Sequence, residues 1–158
     1  MTLLNPFPWK QDSIIIHSLR LFNSFKHWTD QTLLDRDGTA EEIAQALFDA
    51  PFVLVSHGIE ANPIFNYGNH TALQLWEMSW EQFTQTPSKS PVKIEEVSER
   101  QQMLEQVKTQ GYTKNYQGIR QSRTGKLFLI SNVIVWNIID ENDQYWGQSA
   151  TFDRWQFL

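Results

Sequence analysis

The chain contains no cysteine. That excludes disulfides, thiolate nucleophiles, iron–sulfur clusters and thiol-anchored chromophores, and it suits a reducing cytoplasm. Long apolar runs are also missing: nothing reaches the roughly 18 consecutive apolar residues of a membrane span. The N-terminal MTLLNPFPWKQD has neither a basic leading segment nor an unbroken apolar core, so no secretory signal is expected. Positive charge is in deficit, with 13 Lys and Arg against 18 Asp and Glu, for a formal net charge of −5. That balance gives no electrostatic reason to expect nucleic acid or anionic lipid as a partner. There is no P-loop, no G-x-G-x-x-G and no G-x-S-x-G elbow, so the common nucleotide and serine-hydrolase signatures are lacking. The four histidines (His17, His27, His57 and His70) form no i,i+4 pair and have no carboxylate at ligand spacing, so no metal site is expected. Glu95 and Glu96 are adjacent acids at a helix start. They point apart and favour the helix dipole, which is not the arrangement of a catalytic carboxylate pair.

What is present suits a single globular domain: 158 residues, 41% of them hydrophobic, with seven tryptophans and ten phenylalanines. So many rings imply a large aromatic core or a ring-lined pocket. Apolar residues at helical spacing (Ile15, Leu19, Phe22, Phe25, Trp28) predict a helix from about Asp12 to Leu34. A second helix starts at Thr39, with Glu42 at capping-box spacing, and ends before Pro51. From Phe52 the pattern changes to strands, at Phe52–Ser56 and Pro63–Tyr67. Asn69 then stands where a helix cap belongs, and Ser79 with Gln82 caps a further short turn. Thr86–Pro91 reads as a loop, and Ser98–Gln101 opens a longer helix with Leu104 and Val107 inward and Gly111 as its stop. Strands follow at Tyr112–Ser122, Leu127–Ile139 and Tyr145–Phe152, joined by turns at Arg123–Lys126 and Asp140–Asp143. The expected fold class is α+β, with a five-stranded antiparallel sheet, helices on one face, and two helices in front of it.

The candidate ligand contacts are Asn69, Trp76, Arg120, Trp136, Asn137 and Gln148. Asn69 is first a helix cap and second an amide facing a pocket. Asn132, Asn137 and Gln148 are polar residues in apolar strands, and if buried each needs a hydrogen-bond partner. Strand alternation puts Asn132, Trp136 and Ile138 on one face, and Ser131, Val135 and Asn137 on the other. Arg120 suits a carboxylate or phosphate, or an ion pair along the sheet surface.

The run FNYGNHTALQLWEMSWEQF, followed by PSK, YQGIRQSRTGKLF, VWNIID and GQSATF, resembles the MEKHLA domain family over roughly Ala50 to Phe152. Similar domains occur as stand-alone bacterial and cyanobacterial proteins, and at the C-terminus of plant class III homeodomain-leucine zipper regulators. The resemblance implies a PAS-like domain at residues 51–158 preceded by a helical extension at 1–50. It also implies a non-catalytic sensory or regulatory module, located in the cytoplasm, that binds a small molecule or a partner protein. Homodimerisation through the N-terminal helices is one such partnership, and packing of those helices on the outer face of their own sheet is the alternative. The cofactor is left unknown. A flavin of the light-oxygen-voltage type and a cysteine-linked chromophore both need the missing thiol, and haem has no histidine in the helix Ser98–Gly111. The flavin-facing glutamine of such photoreceptors lies two residues after a strand glycine, whereas Gln148 directly follows Gly147, which by alternation turns it to the opposite face. Two other readings compete. One is a small-molecule enzyme on a cone-shaped α+β fold, with His57 or His70 beside Glu60. The other is a dimerisation scaffold whose core is filled by the tryptophans.

Overall fold

The computed structural model of the chain describes residues 7–89 and 97–158. Glu95, Glu96 and the end of the Thr86–Pro91 loop lie outside the described residues. After a short 3-10 turn at Pro8–Lys10 come helices α1 (Asp12–Thr29) and α2 (Ala40–Phe48), then strands β1 (Val53–His57) and β2 (Phe65–Gly68). Helices α3 (His70–Trp76), α4 (Trp80–Phe83) and α5 (Val97–Gln110) are inserted next. They are followed by β3 (Tyr112–Gln121), β4 (Leu127–Ile139), β5 (Tyr145–Phe152) and β6 (Arg154–Phe157).

The sheet runs β2-β1-β5-β4-β3, and every pairing is antiparallel. Strand β6 was not expected. It carries on along β4 in the register of β5, from Ile134↔Thr151 to Ser131↔Arg154, after the bend at Asp153. Helix α1 stops earlier than its apolar spacing suggests. Asp30 turns left-handed (φ 58) and its amide closes on the Lys26 carbonyl, so Leu33 and Leu34 pack from outside the helix. In α5, Val107 is buried as expected, but Leu104 is 37% exposed and Met103 takes the inward position instead.

Two cores lie back to back on the sheet. Val55, Phe65, Phe128, Val135 and Phe152 face α3, α4 and α5, where they meet Trp76, Phe83 and Val107. Leu54, Tyr67, Trp136 and Ile138 face the other way and are covered by Leu21 and Phe25 of α1 and Leu47 of α2. The N-terminal helices therefore pack on the sheet of their own chain. Two bulges keep β3 and β4 in phase with these cores. Asn115 (φ 63) and Asn132 (φ 54) adopt the left-handed conformation at the register shifts, which asparagine tolerates better than most residues. Asn132 is exposed in its bulge and does not share the face of Trp136 and Ile138, because simple alternation fails across the inserted residue.

The seam under α1 is partly polar. The Ser56 hydroxyl donates to Asn66 Oδ1 at 2.5 Å and lies 2.9 Å from His17 Nε2. A hydroxyl has one proton, so His17 Nε2–H is the donor of the second bond. Burial, with Arg20 one turn away, lowers the pKa of His17 from 6.5 to about 4. Between those values the unfolded chain binds a proton that the folded chain refuses. Stability is therefore full above pH 6.5 and falls as pH drops toward 4, by about 3 kcal/mol in total. Urea titrations across that interval check this, with His17→Gln expected to flatten the profile. A wild-type profile already flat there would show the imidazole to be solvated.

Candidate functional site

The family resemblance implies a ligand position between the sheet and α3–α5, and aromatic rings cluster in that space. Trp76 stands at its centre, with ring centroids 5.2 Å from Phe128, 5.7 Å from Phe83, 6.0 Å from Phe65 and 6.5 Å from Phe152. Phe65 and Phe83 stack at 4.2 Å. All five residues are buried. Two open surface grooves are found among the described residues. One runs along Leu127 and Phe157, the other lies between α1 and the β4–β5 turn, and neither enters the ring cluster. Among the described residues, side-chain rings of the chain itself occupy this space.

The candidate residues do not converge on one point. Trp76 is core, as described. Trp136 faces the opposite side, stacked edge-on to Phe25 at 4.9 Å with its indole N–H donating to Ser24 Oγ at 3.0 Å. Asn69 caps α3 and does more. Its Oδ1 accepts from the amides of Ala72 and Leu54, each at 3.1 Å, and its Nδ2 donates to the carbonyls of Leu47 (3.1 Å) and Phe52 (2.8 Å). The chain itself thus uses all the hydrogen-bonding capacity of that amide. Arg120 donates to the Ile119 carbonyl at 3.0 Å and to the Tyr116 hydroxyl at 3.3 Å, along the sheet.

Asn137 and Gln148 do come together. They are cross-strand neighbours, and Gln148 Nε2 donates to Asn137 Oδ1 at 3.4 Å, near the outer limit of such a bond. Asn137 Nδ2 in turn donates to the Val107 carbonyl of α5 at 3.0 Å. Gln148 therefore belongs to the α3–α5 face, and the alternation argument that turned it away was wrong. Gly147 (φ 120) sits beside the β4–β5 register shift and cannot serve as the origin for counting faces. The register with Asn137 and His57 sets the side of Gln148 instead.

The histidine–carboxylate pairs form no enclosed acid–base site. Glu60 and His70 are exposed, with Glu60 bonded to the Ile64 amide at 3.1 Å. His57 Nδ1 contacts the neighbouring Gly58 carbonyl at 2.9 Å. Among the described residues no group of three His, Asp or Glu is placed to hold a metal ion, and no helix is long and apolar enough to cross a membrane.

One positioning residue escaped the sequence reading. Glu77 ends α3 in a left-handed turn (φ 57) and its carboxylate reaches the β3–β4 turn. It accepts from Ser122 Oγ (2.7 Å) and Thr124 Oγ1, and pairs with Lys126 at 3.3 Å. Arg123 completes the clasp, donating its amide to the Trp76 carbonyl at 2.9 Å and its Nε to the Glu77 carbonyl at 3.0 Å. The turn was legible at Arg123–Lys126, but nothing nearby in sequence marked its partner 45 residues upstream. The two hydroxyls and Lys126 lower the Glu77 pKa from 4.5 to about 2. Its contribution is thus present above pH 4.5 and lost as pH falls toward 2. The melting-temperature gap between wild type and Glu77→Gln is expected to close over that interval, measured by calorimetry. A gap independent of pH would assign the clasp to shape and not to charge.

The comparisons with known proteins agree with this architecture. The family model of the MEKHLA domain matches residues 15–157. The PAS domain of a protein from Colwellia psychrerythraea superposes with a TM-score of 0.54 at 18% identity, over 75% of this chain and 95% of that one. An RNA-binding light-oxygen-voltage receptor gives 0.62 at 10% identity, over 77% of this chain but only 36% of the receptor. The light-state dimer of the fungal blue-light photoreceptor Vivid gives 0.57 at 12% identity, over 96% and 98% of the two chains. At these identities the likeness establishes the fold, which is PAS-like α+β. No curated protein matches the chain.

Proposed function

Because the chain belongs to the MEKHLA domain family, we propose that it is a cytoplasmic, non-catalytic, PAS-like regulatory module that works through a partner protein and carries no large resident chromophore. The observation that supports this reading is the ring cluster. Trp76, Phe65, Phe83, Phe128 and Phe152 pack where a cofactor would lie, and the zero cysteine count forbids a thiol adduct. A surface is then the remaining means of response, and the partner is another chain or a second copy of this one. Native mass spectrometry with an absorbance scan, on protein purified from its own host, tests this. The expected result is the mass of the polypeptide, alone or as a concentration-dependent dimer, with no visible band. A bound flavin or haem would overturn it.

A second reading, a small polar ligand on the α3–α5 face, is favoured by the Asn137–Gln148 pair, whose long mutual bond leaves Gln148 free to exchange partners. The same spectra would carry the mass of such a ligand, and Gln148→Leu would then be expected to lose it at unchanged stability.

A further inference from the structure

The last turn of α1 meets the end of α5 at the edge of β4, and Asn137 is the residue between them. Strand β3 begins at Tyr112, opposite Trp136, so the backbone of Asn137 extends one residue beyond that pairing. Its amide donates to the Gly111 carbonyl at 2.8 Å. Its carbonyl accepts the Trp28 indole N–H, from α1, at 2.9 Å. Its side chain meanwhile donates to the Val107 carbonyl of α5 and accepts from Gln148. Gly111 is left-handed (φ 87), and a Cβ there would lie 2.3 Å from the Trp28 ring, so the indole lies directly on the α5–β3 junction. The Gly111 amide also returns to the Val107 carbonyl at 2.9 Å, which makes that oxygen a double acceptor shared by junction and strand.

We propose that Asn137 and Trp28 couple the seating of α5 on one face of the sheet to the seating of α1 on the other, so that displacing either helix loosens the other. Among the described residues, α5 is also held by buried Val107, by Met103 and by the Thr113 hydroxyl bonded to Gln106. Its last turn cannot shift without moving the Val107 and Gly111 carbonyls, and both are bonded to Asn137. Asn137 cannot move without breaking its bond to Trp28. The coupling lies within one chain and needs no ligand or partner, so it goes beyond the partner-binding reading and stands or falls independently of it.

Hydrogen exchange on the full chain tests it with Trp28→Phe, which removes the indole donor, and with Asn137→Ala. Trp28→Phe is expected to speed exchange roughly fivefold in the last turn of α1 and also at residues 107–111, with α2 and β5 unchanged. Asn137→Ala is expected to do the same in reverse, because coupling between sites is reciprocal. The double variant is expected to fall short of the product of the two effects. A Trp28→Phe effect confined to α1, or effects that simply multiply, would overturn the proposal. If a variant loses protection throughout the chain, the indole N–H resonance of Trp28 in Asn137→Ala decides the matter: a shifted resonance supports coupling, and an unmoved one overturns it.

Discussion

Trp76→Ala is expected to lower stability by about 4 kcal/mol and to leave a ring-walled cavity on the α3–α5 face. The magnitude follows from how little the site can collapse. The rings around Trp76 come from β2 (Phe65), α4 (Phe83), β4 (Phe128) and β5 (Phe152), and three of those elements are hydrogen-bonded strands of one sheet. On the remaining side, Glu77 and Arg123 hold the end of α3 against the β3–β4 turn and so prevent the helix from sinking inward. Trp76→Phe keeps most of the contact and is expected to cost about 1.5 kcal/mol. Denaturant titration measures both. Added indole is expected to raise the melting temperature of the alanine variant and to leave that of the wild type unchanged, because an apolar cavity of this kind takes up a matching ring. If Trp76→Ala cost less than about 1 kcal/mol, the indole would not be core, and the reading of a ring-filled pocket position would go with it.

Much of this arrangement was legible because it depends on local chemistry. The cap at Asn69, the boxes at Thr39 and Ser79 and the turn at Arg123–Lys126 are set by residues within four positions of one another, and all occur. The order of strands and helices is carried by the change from helical to alternating periodicity, and it too is found. The features that did not show in the sequence depend on distant partners. Whether Trp136 or Asn137 faced α5 could not be read, since a strand fixes only that the two differ. Gln148 was assigned by counting from a glycine whose φ of 120 breaks the count. The bulges at Asn115 and Asn132 are legible only once the register with the facing strand is known. The candidate site divided for the same reason: polar residues in apolar strands are recognisable as such, but the helix each one meets is not.

Asn69→Asp provides the sharpest test of the difference between a cap and a buried clamp. At an exposed helix start the two residues cap about equally well. Here Asn69→Asp is expected to cost about 3–4 kcal/mol at neutral pH, close to the cost of Asn69→Ala. Aspartate keeps both acceptors for the Leu54 and Ala72 amides. It also replaces Nδ2 with an oxygen facing the Leu47 and Phe52 carbonyls, at separations of 3.1 and 2.8 Å in the native chain. Ionised, that oxygen is a buried charge set against two carbonyl dipoles. Protonated, it donates to one carbonyl and leaves the other without its side-chain donor. The introduced carboxyl is therefore expected to hold its proton more tightly in the folded chain than the ordinary value of about 3.9 in the unfolded one. The folded state then binds the extra proton, so Asn69→Asp gains stability relative to Asn69→Ala as pH falls from 7 toward 4. Taking the difference between the two variants cancels the His17 contribution, which both share. Equilibrium unfolding at a series of pH values measures it. An aspartate variant within about 1 kcal/mol of wild type at pH 7 would mean that the bonds to Leu47 and Phe52 add little, and that Asn69 is a cap and nothing more.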